Sequence, residues 1–258
     1  MSKRFNAVLF AVDFAQNNIH GYAQDSRWDQ DADCSSLVIR AYEAAGVPVK
    51  TLGATYTGNM LPVFIKAGFA AVAGVDFGKG TGLLPGDVLL KVSGHTAIYI
   101  GGGQIVQAAG NEKGGITGGK PGDQTGKEIY IRDYYNSPWD YALRFIEPYS
   151  INPFPEPKGV YKSGVTFRGD AARWFIWELV MKGHDLLWVS DVFGKNSWNA
   201  LYIEQEKAGL SKGDAGPNTR AIFKPEGSPE MIELKKLTLE FMSTMTGLIQ
   251  DYTEKYLS

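Results

Sequence analysis

The chain has 258 residues, of which 44% are hydrophobic and 21% are charged, and its formal net charge is −2 at pH 7. This length and composition are typical of a globular protein with one large domain or two small ones. With positive and negative charges nearly balanced, the chain has no net attraction to a polyanion, so its charge does not favour nucleic acid or an anionic membrane as partner. No stretch approaches the ~20 apolar residues of a membrane-spanning helix.

The first half of the chain begins with helical signals. Residues 34–45 carry apolar side chains at helical spacing, and Gly46 and Pro48 follow as helix-ending residues. A shorter helix is predicted near residues 60–67. The N-terminal segment is basic and then apolar, but Asp13 interrupts it and no small-residue cleavage site follows, so we expect no signal peptide.

Short strand-like runs separated by glycine turns follow Gly86. The predicted strands are 88–92, 96–100, 104–108, 128–132 and 141–146. Helices followed by an antiparallel sheet indicate an α+β fold. The glycine-rich segment 101–126 lacks a phosphate-binding motif and is expected to be a mobile loop beside a cleft.

Alternating prolines predict a domain boundary after this sheet. Pro153, Pro155 and Pro157 favour an extended connector, because each ring fixes φ and removes a backbone donor. We therefore expect a first domain at 1–148, a linker at 149–164 and a small all-α domain at 165–258. Its predicted helices are 171–181, 197–207 and 229–257, and the last either packs on its own domain or associates with a second chain.

Cys34 is the single cysteine of the chain, which excludes an intramolecular disulfide and any multi-cysteine metal cluster. It follows Asp33 at the predicted start of a helix. Free backbone amides and the helix dipole favour the thiolate there, so Cys34 is a candidate nucleophile. The alternative is a small buried cysteine without chemistry.

His95 is one of three histidines and follows Gly94 at the beginning of a predicted apolar strand. A strand that starts opposite a helix N-terminus can bring an imidazole within reach of a thiol, so His95 is a candidate base. An ordinary hydrogen-bonded histidine is the alternative.

Several ordered motifs over about residues 15–146 resemble the papain-like NlpC family of cell-wall hydrolases and the related CHAP amidohydrolases. They are Asp33-Cys34-Ser35, the turn Pro85-Gly86-Asp87, the strand His95-Thr-Ala-Ile-Tyr-Ile-Gly101 and a polar residue on the next strand. The resemblance implies a papain-like catalytic domain in which Cys34 and His95 cleave an amide by acyl transfer.

The resemblance also implies the remaining members of the site. The third catalytic residue is Gln107 at the expected offset from His95, or Asn111 slightly later. Tyr22 corresponds to a family tyrosine near the oxyanion, and Asp33 and Ser35 complete the candidate oxyanion and substrate residues. We expect no cofactor and no metal. In particular, the Asp29-x-Asp31-x-Asp33 run lacks the glycine and glutamate of a calcium loop.

Residues 165–224 resemble the small helical peptidoglycan-binding repeat through an ordered pattern of Gln205, Gly209-Leu210, Gly213-Asp214 and Gly216-Pro217-Asn-Thr219. The resemblance implies a cell-wall-binding domain. Four tryptophans are candidates for stacking on wall sugars, although tryptophan at helical spacing more often belongs to a core. They are Trp174, Trp177, Trp188 and Trp198.

The predicted function is a phage-type endolysin with bacterial peptidoglycan as its partner. The bond is either the muramoyl–L-alanine amide or one inside the stem peptide. We expect the protein in the host cytoplasm until lysis, with no nucleic-acid or membrane partner. The alternatives are an inactive wall-binding or virion structural protein, and a thiol acyltransferase on the same fold.

Overall fold

The computed structural model describes residues 2–147 and 150–223, so the helix predicted for 229–257 lies outside the described residues. Within the described part, the chain forms two compact units. Of the described residues, the first unit comprises 2–147, 150–157 and 166–197, and the second comprises 158–165 and 198–223.

The first unit contains four helices: α1 (Lys3–Gln16), α2 (Cys34–Ala44), α3 (Thr57–Lys66) and α4 (Asp170–Met181). The sequence patterns predict α2, α3 and α4, whereas α1 was not predicted. Ser2 caps α1, since its side-chain oxygen accepts a hydrogen bond from the amide of Phe5 at 3.1 Å.

A six-stranded antiparallel sheet forms the centre of this unit, in the order β1-β6-β2-β3-β4-β5. The strands are β1 (Phe69–Ala71), β2 (Val88–Lys91), β3 (His95–Gly101), β4 (Gln104–Ala108), β5 (Ile129–Asp133) and β6 (Tyr141–Phe145). A separate two-stranded ribbon pairs β7 (Phe167–Arg168) with β8 (Val192–Phe193). The α+β class is therefore confirmed.

Apolar side chains of β3 are buried at successive positions because both faces of the strand are covered. Helices α1 and α2 contact β3 and β4. Ala97 and Tyr99, which share one face by strand alternation, belong to an apolar cluster with Leu89, Ile105 and Trp139. This packing fixes the first residues of β3 beside α2.

The observed division of the chain differs from the boundary expected at 148–149, because α4 belongs to the first unit. The ring of Trp177 on α4 meets Phe5 of α1 edge-on, with 4.9 Å between ring centroids. Asn152 donates a hydrogen bond to the carbonyl oxygen of Trp174 at 3.0 Å. These tertiary contacts outweigh the local signal of the prolines.

The described part of the second unit contains most of α5 (Lys195–Lys207) and all of α6 (Pro217–Ala221). Gln205 of α5 is 1% exposed, and its side chain is hydrogen-bonded to the segment that follows this helix. Its amide nitrogen donates to Thr219 Oγ1 at 2.9 Å, and its carbonyl oxygen accepts from the amide of Gly213 at 3.2 Å. Three residues of the predicted repeat pattern are thus in contact.

The four tryptophans proposed as sugar-stacking surfaces are all buried, with exposed fractions of 6% or less: Trp174, Trp177, Trp188 and Trp198. A ring that stacks on a sugar needs an open face. The structure therefore assigns these side chains to cores, which corrects the sugar-stacking expectation.

None of the helices in the described ranges is both long enough and apolar enough to cross a membrane.

Asp87 forms a buried ion pair that fastens the turn before β2 to β6. Its carboxylate is fully buried and accepts two hydrogen bonds from the Arg144 guanidinium, at 2.7 and 2.6 Å, and one from the amide of Leu84 at 2.8 Å. Removing one partner of such a pair leaves the other uncompensated.

We expect Asp87→Ala to lower the free energy of unfolding by about 3–5 kcal/mol, measured by urea denaturation. Asp191→Ala is the matched control, because Asp191 pairs with Arg168 at 3.6 Å in a solvent-exposed position. That control should cost less than about 1 kcal/mol. Equal losses in the two variants would contradict a special role for the Asp87 pair.

Candidate active site

Cys34 is the first residue of α2, and Asp33 is the capping residue before it. Oδ1 of Asp33 accepts hydrogen bonds from the amide of Ser36 at 2.6 Å and the hydroxyl of Ser35 at 2.9 Å. Oδ2 of Asp33 pairs with Arg27 at 2.8 Å. These bonds order the start of the helix and so position the thiol. Because they occupy the side chains of Asp33 and Ser35, these side chains are not presented to a substrate.

The thiol of Cys34 lies against the backbone on either side of His95. Its Sγ is 3.9 Å from the carbonyl oxygen of Gly94, and the Thr96 backbone also interacts with it. Burial raises the pKa of Cys34 to about 11, and the negative charge of Asp33 adds to this, while backbone hydrogen bonds act in the opposite direction. The resting group is therefore a neutral thiol, contrary to the expected thiolate, because desolvation outweighs the helix terminus.

His95 is the first residue of β3 and is hydrogen-bonded to Gln107 on β4, with 3.0 Å between Nε2 and Oε1. Its ring also stacks on Trp139, with 5.6 Å between centroids and 22° between planes. Burial lowers the pKa of His95, partly opposed by the bond to Gln107, and the charge of Lys91 lowers it further. A neutral imidazole is consequently the resting form.

The orientation of the Gln107 amide determines which ring nitrogen carries the proton. Oε1 of Gln107 also lies 3.0 Å from the hydroxyl of Tyr135, which donates to it, and Nε2 of Gln107 donates to Tyr130 Oη at 3.2 Å. In this orientation of the amide the carbonyl oxygen faces the ring and only accepts, so His95 donates from Nε2. Its Nδ1 therefore has a free lone pair, as a base requires.

Asn111, the alternative third member, is engaged elsewhere. Its side chain bonds within its own loop, to the carbonyl oxygen of Thr117 at 2.9 Å and to the amides of Lys113 and Gly115, both at 3.0 Å. Of the two candidates, the geometry selects Gln107 as the partner of His95.

Tyr22 is buried close to Cys34 in a segment that pairs with Ala32. Its amide donates to Glu128 Oε2 at 3.0 Å. Burial raises the pKa of Tyr22, and the nearby Cys34 and Asp33 raise it further. The phenol therefore stays protonated at neutral pH and remains a hydrogen-bond donor beside the thiol.

The segment that carries Tyr22 is fastened to the glycine-rich loop by a buried carboxylate. Oδ1 of Asp31 accepts from the amides of Gly21 at 2.9 Å and Gly122 at 3.1 Å. A Cβ added at Gly21 would lie 2.0 Å from the carbonyl oxygen of Gly122. A cavity of about 100 Å³ lies between residues 23–26, Asp31 and residues 117–121.

Asp31 and Asp123, the buried aspartates beside this loop, each accept hydrogen bonds from two or more backbone amides. The described residues contain no group of three or more His, Cys, Asp or Glu side chains arranged to hold a metal ion.

Three aromatic residues that were not predicted from the sequence surround His95 and Gln107: Tyr130, Tyr135 and Trp139. Tyr130 lies directly across from Gln107 in the pairing of β4 with β5. Pairing the strands predicted at 104–108 and 128–132 as antiparallel neighbours would have been the way to place Tyr130 next to Gln107. Tyr135 and Trp139 belong to the irregular segment before β6, where no periodicity predicts the direction of a side chain.

Comparisons with known proteins give one family match. Residues 105–150 match the family model of the endolysin-like domain. This segment includes Gln107, Tyr135 and Trp139 but neither Cys34 nor His95. No curated protein matched the chain in a sequence search.

Among solved structures, the chain is similar to NlpC1 from Trichomonas vaginalis, with 16% sequence identity and a TM-score of 0.34. The alignment covers 54% of this chain and 44% of that one, so the chain spans less than half the length of that relative.

The neutral resting state of the thiol is measurable by alkylation with iodoacetamide, since Cys34 is the single cysteine. The thiolate is the reacting form, so we expect the rate constant to rise about tenfold per pH unit from about pH 7 to about pH 10. His95→Ala should leave this slope unchanged. A rate that is constant near neutral pH in the parent but not in His95→Ala would show that His95 takes the thiol proton before or during alkylation, and would contradict the expected slope.

Proposed function

We propose that this chain is a peptidoglycan hydrolase that cleaves an amide bond with Cys34 as nucleophile and His95 as base. The observation that carries the proposal is that the thiol at a capped helix N-terminus lies against the start of the strand that bears His95, with Sγ 3.9 Å from the carbonyl oxygen of Gly94. The His95 ring is in turn hydrogen-bonded to Gln107. The endolysin-like match over residues 105–150 supports the wall as substrate.

The reaction starts from a neutral pair. Sγ of Cys34 attacks the carbonyl carbon of the scissile amide while its proton passes to Nδ1 of His95. The carbon–oxygen double bond opens to an oxyanion, which the amide of Cys34 and the hydroxyl of Tyr22 stabilise. Each such donor contributes about 3 kcal/mol in other acyl-transfer enzymes.

The imidazolium of His95 then returns the proton to the departing amine as the carbon–nitrogen bond breaks, which leaves a thioester on Cys34. In the second half, Nδ1 accepts a proton from a water molecule while the water oxygen attacks the thioester and forms a tetrahedral intermediate. When this intermediate collapses, the carboxylic acid is released and the thiol of Cys34 is restored by the proton from the imidazolium. The carbonyl oxygen of Gln107 stabilises the imidazolium of both halves through Nε2–H.

Two bonds fit this chemistry: the amide between the lactyl group of muramic acid and L-alanine, and an amide within the stem peptide. We propose a phage-type lysin in which the second unit binds the wall. The contacts of Gln205 with Thr219 and Gly213 support that role, because they join residues of the helical wall-binding pattern. The buried tryptophans supply no surface for it.

Clearing of a suspension of purified bacterial walls tests the thiol mechanism. We expect the parent protein to lower the turbidity and Cys34→Ala to abolish clearing, because alanine has no nucleophile. The fold of both proteins is checked by circular dichroism, and their binding by co-sedimentation with the walls. Mass spectrometry of the soluble fragments identifies the bond from the new termini.

Equal clearing by parent and Cys34→Ala would overturn the mechanism. Binding without clearing by the parent, on walls from several hosts, would indicate an inactive wall-binding protein. Transfer products formed with added amines would indicate an acyltransferase.

The choice between Gln107 and Asn111 gives a separate prediction. We expect Gln107→Ala to lower the rate of wall cleavage by about 10- to 100-fold, as is typical when the group that orients a functional histidine is removed. Asn111→Ala is the matched control and should change the rate less than about threefold, since its bonds lie within its own loop. The reverse order of effects would assign the third position to Asn111.

A further inference from the structure

We propose that Tyr135 is a positioning residue that fixes the orientation of the Gln107 amide and thereby decides which nitrogen of His95 carries the proton. The inference deepens the proposed function and rests on it for its catalytic consequence. Tyr135 itself touches neither the thiol nor the scissile bond in the proposed reaction. Its effect reaches His95 through one shared oxygen atom.

That shared atom is Oε1 of Gln107. It lies 3.0 Å from Nε2 of His95 and 3.0 Å from the hydroxyl of Tyr135. The other end of the amide, Nε2, donates to Tyr130 Oη at 3.2 Å. Gln107 is 2% exposed, so its amide is almost entirely shielded from water, while Tyr130 and Tyr135 are half-buried.

A flipped amide is the alternative state of this network. Both tyrosine hydroxyls can donate or accept, so an amide rotated by half a turn also finds partners. In that state Nε2 of Gln107 points at His95, whose Nε2 must then accept. The ring proton moves to Nδ1, and the imidazole loses the lone pair that takes the thiol proton. The two amide orientations therefore correspond to an active and an inactive base.

Arg132 favours the active orientation. Its guanidinium carbon lies 4.1 Å from the ring centroid of Tyr135, and its Nη1 donates to Tyr130 Oη at 3.4 Å. A cation over an aromatic ring draws electrons from it, which makes the Tyr135 hydroxyl a stronger donor. The same cation holds the oxygen of Tyr130 as an acceptor. The better donor, the Tyr135 hydroxyl, therefore faces the amide oxygen of Gln107, and the acceptor, Tyr130 Oη, faces its amide nitrogen.

The segment that carries Tyr135 also holds the histidine ring. The carbonyl oxygen of Tyr135 accepts a hydrogen bond from Trp139 Nε1 at 3.1 Å. The indole of Trp139 stacks on His95 and is 5% exposed. The segment from Tyr135 to Trp139 consequently sets both the plane of the imidazole, through Trp139, and its tautomer, through the Gln107 amide.

The test is nitrogen NMR of the His95 ring, which distinguishes the two tautomers without any substrate. We expect the parent to show the Nε2–H form. Tyr135→Phe keeps the aromatic ring and removes only the hydroxyl that donates to Oε1 of Gln107. Because that hydroxyl no longer fixes the amide, we expect this variant to show a substantial fraction of the Nδ1–H form. Tyr134→Phe is the matched control. Its hydroxyl donates to the carbonyl oxygen of Phe77 at 2.7 Å, away from Gln107.

A second variant separates the charge from the hydroxyl. Arg132→Gln retains both tyrosines and should shift the tautomer in the same direction as Tyr135→Phe, by a smaller amount. Parent-like spectra for both Tyr135→Phe and Arg132→Gln would overturn the proposal, as would an equal shift in Tyr134→Phe.

Wall cleavage provides the catalytic readout. We expect kcat to fall about tenfold in Tyr135→Phe, as for a lost bond in a network that orients a functional histidine, while KM changes little. Tyr134→Phe should keep the parent kcat. If the tautomer shifts as expected but the parent does not cleave walls, the positioning role stands and the proposed function fails. If the parent cleaves walls but the tautomer does not shift in the variants, the proposed function stands and the positioning role of Tyr135 fails.

Discussion

The carboxylate of Asp33 joins the start of α2 to the chain that precedes it, and the placement of the thiol depends on that junction. It accepts bonds from Ser35 and Ser36 and pairs with Arg27. Burial is the main cause that raises the pKa of the Cys34 thiol, and the negative charge of Asp33 beside it adds to the rise. The thiol at this ordered helix start is therefore protonated at neutral pH. A base that takes the proton during attack becomes necessary, and His95 with a free Nδ1 meets that need.

Much of this arrangement could be predicted from the sequence, because its determinants are local. The helix signals around residues 34–48 predict α2, and the strand patterns predict β2 to β6 within a residue or two. The offset from His95 to Gln107 follows from two adjacent antiparallel strands, and their observed pairing puts both side chains on one face. The ionisation of Cys34 was predicted wrongly, because desolvation depends on everything that packs around the sulfur.

The features that could not be predicted depend on contacts distant in sequence. The prolines at 153–157 are a sound local signal for a connector, but Phe5 of α1 contacts Trp177 of α4 and brings the later segment into the first unit. Tyr135 and Trp139 lie in an irregular segment whose side-chain directions follow no period. Their partners Gln107 and His95 precede them by 28 and 44 residues of sequence (135 − 107 and 139 − 95). Only the folded structure assigns them to the site.

Asp31 has a consequence for recognition. By accepting amides from both Gly21 and Gly122, it fixes the glycine-rich loop to the segment that carries Tyr22, and the cavity between them is bounded by backbone already in place. A ligand entering that cavity meets a preformed wall, so its affinity is not reduced by the conformational entropy of ordering a loop. A side chain introduced at Gly21 would lie against the carbonyl oxygen of Gly122, so it would push apart the two segments that bound the cavity without adding a group to its lining.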